Sequence, residues 1–255
     1  LTIDFTLGRA SEVTAFMVGL LTATYFMAEL VLSPGFGVLS DRLGAHRVMQ
    51  WGPVFGAVAV LLTAATTDLF LLGVTRWLEG AAAGASIPSI LGYIAVATSR
   101  DEQLRGRTVA RFEAATLAGL GVGIVAAGPL WELFERVAFL LNAGIYGISF
   151  SIYRWGVADL VDHGHARAGA TNQPVHSGEL RPSSFDWTRY RRVLSSRSVW
   201  LLAPTWIALN AVLGSWTTQS VFQLVRTPSG RFHGQLLMGG FAPTQVSIGL
   251  GVALL

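Results

Sequence analysis

Six stretches of this chain stay apolar for about 20 residues or more, enough for a helix rising ~1.5 Å per residue to cross roughly 30 Å of hydrocarbon. They run from Glu12 to Phe36, Val48 to Thr67, Leu69 to Thr98, Thr108 to Leu130, Val137 to Trp155 and Val199 to Val221. Segments so long and so poor in charge have no place on the outside of a water-soluble domain. The composition agrees: 52% of the 255 residues are hydrophobic and 13% charged, too little polar surface to coat a soluble body of this size. A further apolar run starts near Gln245 and holds only about 11 residues, short of a span, so it is read as a truncated helix. With Leu1 in place of methionine, the chain is expected to be a piece of a longer protein. Its first residues, LTIDFTLGRA, lack the basic start and cleavage site of a signal peptide.

Inside lipid the backbone must satisfy its own hydrogen bonds, and nothing here alternates with the two-residue period of a membrane barrel, so the runs are predicted to be helices. The expected fold class is an all-α polytopic membrane protein. Gly52 and Gly56, Gly80 and Gly84, and Gly119 and Gly123 recur at four-residue spacing, which lets helix backbones approach where apolar side chains gain nothing by leaving lipid. With no cysteine, neither a disulfide nor a thiolate metal site is possible.

Arginine supplies every basic residue and sets the predicted orientation. Arg42 and Arg47 fall between the first two spans; Arg100, Arg105 and Arg107 between the third and fourth; Arg154, Arg167, Arg181, Arg189, Arg191, Arg192 and Arg197 after the fifth. The alternate side carries only Arg9, Arg136, Arg226 and Arg231. By the positive-inside rule the first set is cytoplasmic, and the chain is expected to be a multi-pass protein of the plasma membrane. Trp51, Trp155 and Trp200 at the cytoplasmic helix ends and Trp131 at an outer one fit an interfacial belt.

Composition changes once, over residues 156–198. GHARAGATNQPVHSGELRPSS has linker character, and FDWTRYRRVLSSRS after it is a basic amphipathic segment suited to an anionic inner leaflet. His163, His165 and His176 lie there without the carboxylates or thiolates of a metal site, so no metal and no cofactor is expected.

Between the first two spans stands Gly37-Val38-Leu39-Ser40-Asp41-Arg42-Leu43-Gly44-Ala45-His46-Arg47. It resembles motif A of the major facilitator superfamily, Gly-x-Leu-Ala/Ser-Asp-Arg-x-Gly-Arg-Lys/Arg, with Ala45 and His46 in place of two basic residues and Arg47 keeping one charge. Leu72 to Gly84, with Arg76, Glu79 and Gly80, is similar to motif B. Gly119, Gly123, Ala127 and Gly128 resemble the glycine ladder of motif C, although Ile124 stands where drug–proton antiporters carry proline. Arg136 to Asn142 looks like the family's entry into its sixth span.

The resemblance implies a helical bundle of that type, incomplete in this chain: residues 1–155 as the N-terminal bundle without helix 1, residues 156–198 as the cytoplasmic interdomain linker, and residues 199–255 as helix 7 with a truncated helix 8. It implies transport by alternating access, with substrate bound between two six-helix bundles at mid-membrane. Gly37, Asp41, Arg42, Gly44 and Arg47 would form the gating motif, Asp41 latching a helix of the second bundle. The motif A loop and linker would face the cytoplasm, and His46 is read as a solvated histidine. The partners expected are the bilayer, a small-molecule substrate, protons and the missing helices of the same protein.

Charges within the spans are costly and so mark function. Glu29 lies 12 residues before Asp41, about 18 Å along a helix and near the midplane, where it is the candidate coupling acid. Arg76 and Glu79, three apart, share a helix face and complete the proton- or substrate-coupling set. Arg111 and Glu113 are inner-gate candidates, and Tyr25, Phe26, Tyr93, Trp206 and Trp216 candidate pocket linings. The reading is a proton-coupled secondary transporter, with efflux of small amphipathic compounds ahead of proton-driven uptake; a receptor or assembly factor on the same fold is the alternative of another class. An enzyme is not expected: no nucleophile–base pair or nucleotide loop appears, and Gly119, Gly121 and Gly123 sit inside a span and not after a strand. Arginine-rich loops account for the basic balance without nucleic acid.

Overall fold

A computed structural model describes residues 15–66, 68–157, 208, 231–232, 235–236 and 243–254. Helix α1 spans Ala15–Leu43, α2 is the short Ala45–Val48, α3 is Trp51–Ala65, α4 is Leu69–Ala97, α5 is Glu102–Phe134 and α6 is Val137–Ser151. A π-helical turn, Ile152–Gly156, prolongs α6. A minimal antiparallel pair, β1 (Arg231–Phe232) with β2 (Gln235–Leu236), and helix α7 (Pro243–Leu254) complete the described elements. Four helical stretches are long and apolar enough to cross a membrane: Phe16–Leu43, Ala45–Ala65, Leu69–Ala97 and Glu102–Phe134. The first four predicted spans thus recur in order; the fifth is helical over Val137–Ser151 but is not among these four, and Val199 to Val221 apart from residue 208, like most of the 156–198 connection, lies outside the described residues.

Local chemistry sets the borders. The Asp68 carboxylate accepts from the Leu71 N–H at 2.9 Å and opens α4; Asp101 does the same for Leu104 at the start of α5, also at 2.9 Å. Each satisfies one of the orphan donors of a helix N-terminus. Pro34, Pro88 and Pro129 lie inside α1, α4 and α5. Such interruptions are tolerated in apolar spans; next to Pro34, Ser33 Oγ donates to the Glu29 carbonyl at 2.6 Å.

Two expectations change. Motif A is not a loop: Gly37 to Leu43 continue α1, and the break comes at Gly44, whose φ of 90° lies in the left-handed region that favours glycine. Gly44 N–H donates to the Ser40 carbonyl at 3.0 Å, closing α1, and the Gly44 carbonyl accepts from Arg47 N–H at 3.1 Å, opening α2. Likewise Arg105 and Arg107 belong to the first turns of α5, because the Asp101 cap starts that helix before them.

Packing centres on small residues. Ala28, Ala59, Thr63, Leu72, Ala85 and Ser89 are fully enclosed. Helix α1 lies along α4, α4 along α3, α3 along α6, and α7 along α5. A Cβ on Gly80 would meet the Tyr25 carbonyl and the Ala28 side chain, and one on Gly84 would stand 3.2 Å from Ser33 Oγ. Gly52 faces Ser86 and Gly56 faces the ring of Tyr146 in the same way. Large apolar side chains such as Leu30, Phe70 and Ile148 point outward, as they do in a bundle solvated by lipid.

Candidate functional site

Glu29 stands midway along α1, 14 residues from Ala15 and 14 from Leu43. Opposite it, Gly80 and Gly84 bring the α4 backbone against the turn from Tyr25 to Ser33. That approach needs glycine, since any Cβ at Gly80 collides with backbone. Arg76 and Glu79, which precede Gly80 on α4, lie within electrostatic reach of Tyr25 on α1, as does Glu29.

Arg76 Nη2 donates to Glu79 Oε1 at 2.6 Å, and the two side chains are 20% and 15% exposed. The three-residue spacing stacks them on one face of α4. Arg76 Nε is buried and without a hydrogen-bond partner among the described residues. An unsatisfied buried donor costs about 1–3 kcal/mol, so the guanidinium is a receptor for one more acceptor. Tyr25 lies within electrostatic reach of Glu29, Glu79, Arg76 and Tyr146, and Tyr146 within reach of Glu79 and Arg76. The cluster therefore joins α1, α4 and α6: two carboxylates, one guanidinium and two phenols in the interior of the bundle.

The other expected residues distribute unevenly. Asp41, Arg42 and Arg47 are exposed at the Leu43 end of α1 and on α2, with Gly37 in the last turns of α1 and Gly44 at the break. Arg111 and Glu113 are both exposed on α5, and no ion pair joins them among the described residues; two positions apart on a helix they point in different directions. Gly119 and Gly123 are exposed with open space where a Cβ would be, so the predicted close approach is not at those positions. Gly128, also expected to pack, is buried, and the close approach to α7 occurs at buried Gly121: a Cβ on Gly251 would meet Val125 and the Gly121 carbonyl. Ser247 Oγ reaches the Val125 carbonyl at 3.4 Å and Thr244 N–H donates to Glu132 Oε1 at 3.0 Å.

Three participants were not anticipated. Tyr146 is one; a hydroxyl inside an apolar span was the available signal. His46 and Tyr153 are the others: the imidazole is half-buried and bonded to the Tyr153 carbonyl, not solvated, because α2 turns it toward the end of α6. Of the candidate linings, Tyr25 stacks edge-on with Phe26 at 5.0 Å, while Trp206 and Trp216 lie outside the described residues. No cluster of metal ligands occurs among the described residues.

A family profile described as Major Facilitator Superfamily matches residues 2–255. The chain is 27% identical over 133 residues to the quinolone resistance protein NorA of Staphylococcus aureus (strain MRSA252), 51% of this chain and 33% of that protein. It is 26% identical over 149 residues to the multidrug resistance protein MdtG of Escherichia coli O1:K1 / APEC, 58% of this chain and 36% of the relative. The matched stretch thus spans about a third of the length of these curated relatives. A nearly full-length profile match and helices long enough to span together place this multi-pass membrane chain in the major facilitator superfamily.

Proposed function

We propose that this chain is part of a proton-coupled secondary transporter that works by alternating access and exports small amphipathic compounds. The observation that carries the reading is the Arg76–Glu79 pair, held at 2.6 Å on α4, with Tyr25 of α1 within electrostatic reach of both the pair and Glu29. The acid paired with the guanidinium gives the site two states. With the carboxylates charged, Arg76 is held by Glu79; when a proton neutralises Glu79, the guanidinium is released and its buried, unsatisfied Nε–H meets an incoming acceptor. Glu29, at the centre of α1, is the acid placed to exchange a proton with the cavity.

The direction of transport rests on relatives named for quinolone and multidrug resistance. Uptake is the second reading, supported by Ile124 at the position where antiporters of the family carry proline. In the proposed layout residues 1–155 belong to the first bundle, 156–198 to a cytoplasmic linker and 199–255 to the start of the second bundle. Asp41, Arg42 and Arg47 then face the cytoplasm of a plasma-membrane protein and gate it with helices of the second bundle.

The deciding experiment uses the intact transporter in proteoliposomes with an imposed pH gradient and a fluorescent quinolone as probe. Glu29→Gln and Glu79→Gln are expected to abolish gradient-driven accumulation while leaving probe binding detectable. Normal gradient-driven transport in both variants would remove the coupling assignment.

A further inference from the structure

The cytoplasmic end proposed for this bundle contains one long-range tie that the transport reading does not use. His46 Nε2 lies 2.9 Å from the carbonyl oxygen of Tyr153, 107 residues along the chain. A carbonyl only accepts, so this geometry assigns the ring proton to Nε2. Gln50, one turn on, donates its amide to the His46 carbonyl at 3.0 Å; its 3.4 Å approach to the ring nitrogen then brings donor to donor and is no bond. Gln50 therefore steadies the residue while the imidazole is committed to Tyr153.

Both ends of this tie are unusual places. His46 sits on α2, the four-residue elbow that follows the Gly44 break, and that elbow is anchored by Val48 and Met49, both enclosed in the core. Phe36, Trp51 and Phe55 stack around the elbow with ring centroids 6.1–6.5 Å apart, fixing α1 against α3 on either side of it. Tyr153 lies in the π-helical turn, the last turn described before the connection to the second half begins. Terminal carbonyls of a helix have no further turn to accept from, and a π turn displaces them from their usual line. His46 supplies from another element a donor that the helix end lacks.

We infer that His46 is a positioning residue that straps the last turn of α6 to the motif A elbow, so that movement of the elbow is handed to the chain leaving at Val157. The transmission half of this inference rests on the transport reading; the strap itself does not. An arginine or lysine in this place, as the family pattern has it, carries its charge outward on a flexible stem, whereas the short imidazole reaches a backbone atom.

The test is hydrogen exchange, read by mass spectrometry, on the intact transporter in nanodiscs, comparing His46→Ala, His46→Phe and His46→Gln. Loss of the bond should speed exchange of the amides across residues 150–157 by about 5- to 10-fold in the Ala and Phe variants, the cost of one net hydrogen bond. Gln keeps a donor and should stay within about twofold of the parent. Peptides from residues 25–33, on the α1–α4 contact, should not change. Unchanged exchange at 150–157 in His46→Ala, or an equal rise in both regions, overturns the strap. For the transmission half, turnover of a fluorescent quinolone should fall severalfold in His46→Ala at constant KM and recover in His46→Gln. Faster exchange with unaltered turnover overturns transmission while keeping the strap; a parent protein that moves no quinolone overturns the efflux reading and leaves the exchange result to decide the strap.

Discussion

Helices α4 and α5 are both long apolar spans with an internal proline, yet they are held very differently. Of the apolar window in α4, 39% is buried, against 11% in α5. Helix α4 is gripped by α1 and α3 through glycines whose missing Cβ atoms make room for backbone and side chains of the neighbour. Helix α5 touches α7 along one strip and leaves Leu117, Leu120 and Val122 exposed. The Arg76–Glu79 ion pair sits on the gripped helix, and Glu29 on α1, the helix that grips it. Among the described residues, the ion pair thus lies in the closely packed part of the bundle, while α5 keeps most of its apolar surface outside the described contacts.

The comparison can be broken most severely at Gly80. Gly80→Leu drives a side chain into the Tyr25 carbonyl and Ala28, and should destabilise the protein by about 3 kcal/mol or more, seen as loss of the monodisperse peak in detergent. Next comes the pair: Arg76→Met leaves Glu79 without its ion partner, costing about 3–5 kcal/mol if the acid stays charged. A double-mutant cycle with Glu79→Gln should return a coupling of about 1–3 kcal/mol by thermal unfolding, and a value near zero would mean that the pair is solvated in the membrane protein. Gly251→Ala, which crowds Val125 and the Gly121 carbonyl, should loosen α7 from α5 at about 1–2 kcal/mol. Smallest is Gly119→Ala on the open face of α5. With nothing near it among the described residues, it should gain up to ~1 kcal/mol of helix propensity, and a loss there would expose a contact that the described helices do not account for.

Much of the architecture was readable because membrane spans announce themselves by length. The pairing of Arg76 with Glu79 followed from their three-residue spacing alone. Facing did not follow. Of the packing glycines expected on α5, Gly128 is buried while Gly119 and Gly123 are open and the unpicked Gly121 makes the contact, and no polarity pattern corrects that choice when lipid and neighbouring helix are equally apolar. Motif A was read as a loop because its charges resemble one, whereas the helix continues until the backbone needs a positive φ at Gly44. His46 and Tyr153 are too far apart in sequence for any local signal to join them.

Because α1 runs unbroken from Glu29 to Asp41, both are points on a single rod and not a binding site and a separate loop. Twelve residues make an arm of ~18 Å, so a tilt of about 5° at Glu29 carries Asp41 sideways by roughly 1.5 Å, half the reach of a hydrogen bond. Pro34 lies between them and gives the rod one compliant joint. In the transporter proposed above, the mechanical gain between the membrane interior and the Asp41 end would be set by the five residues from Glu29 to Pro34 and the seven from Pro34 to Asp41, and lengthening or stiffening either segment would change the stroke while leaving Glu29 and Asp41 in place.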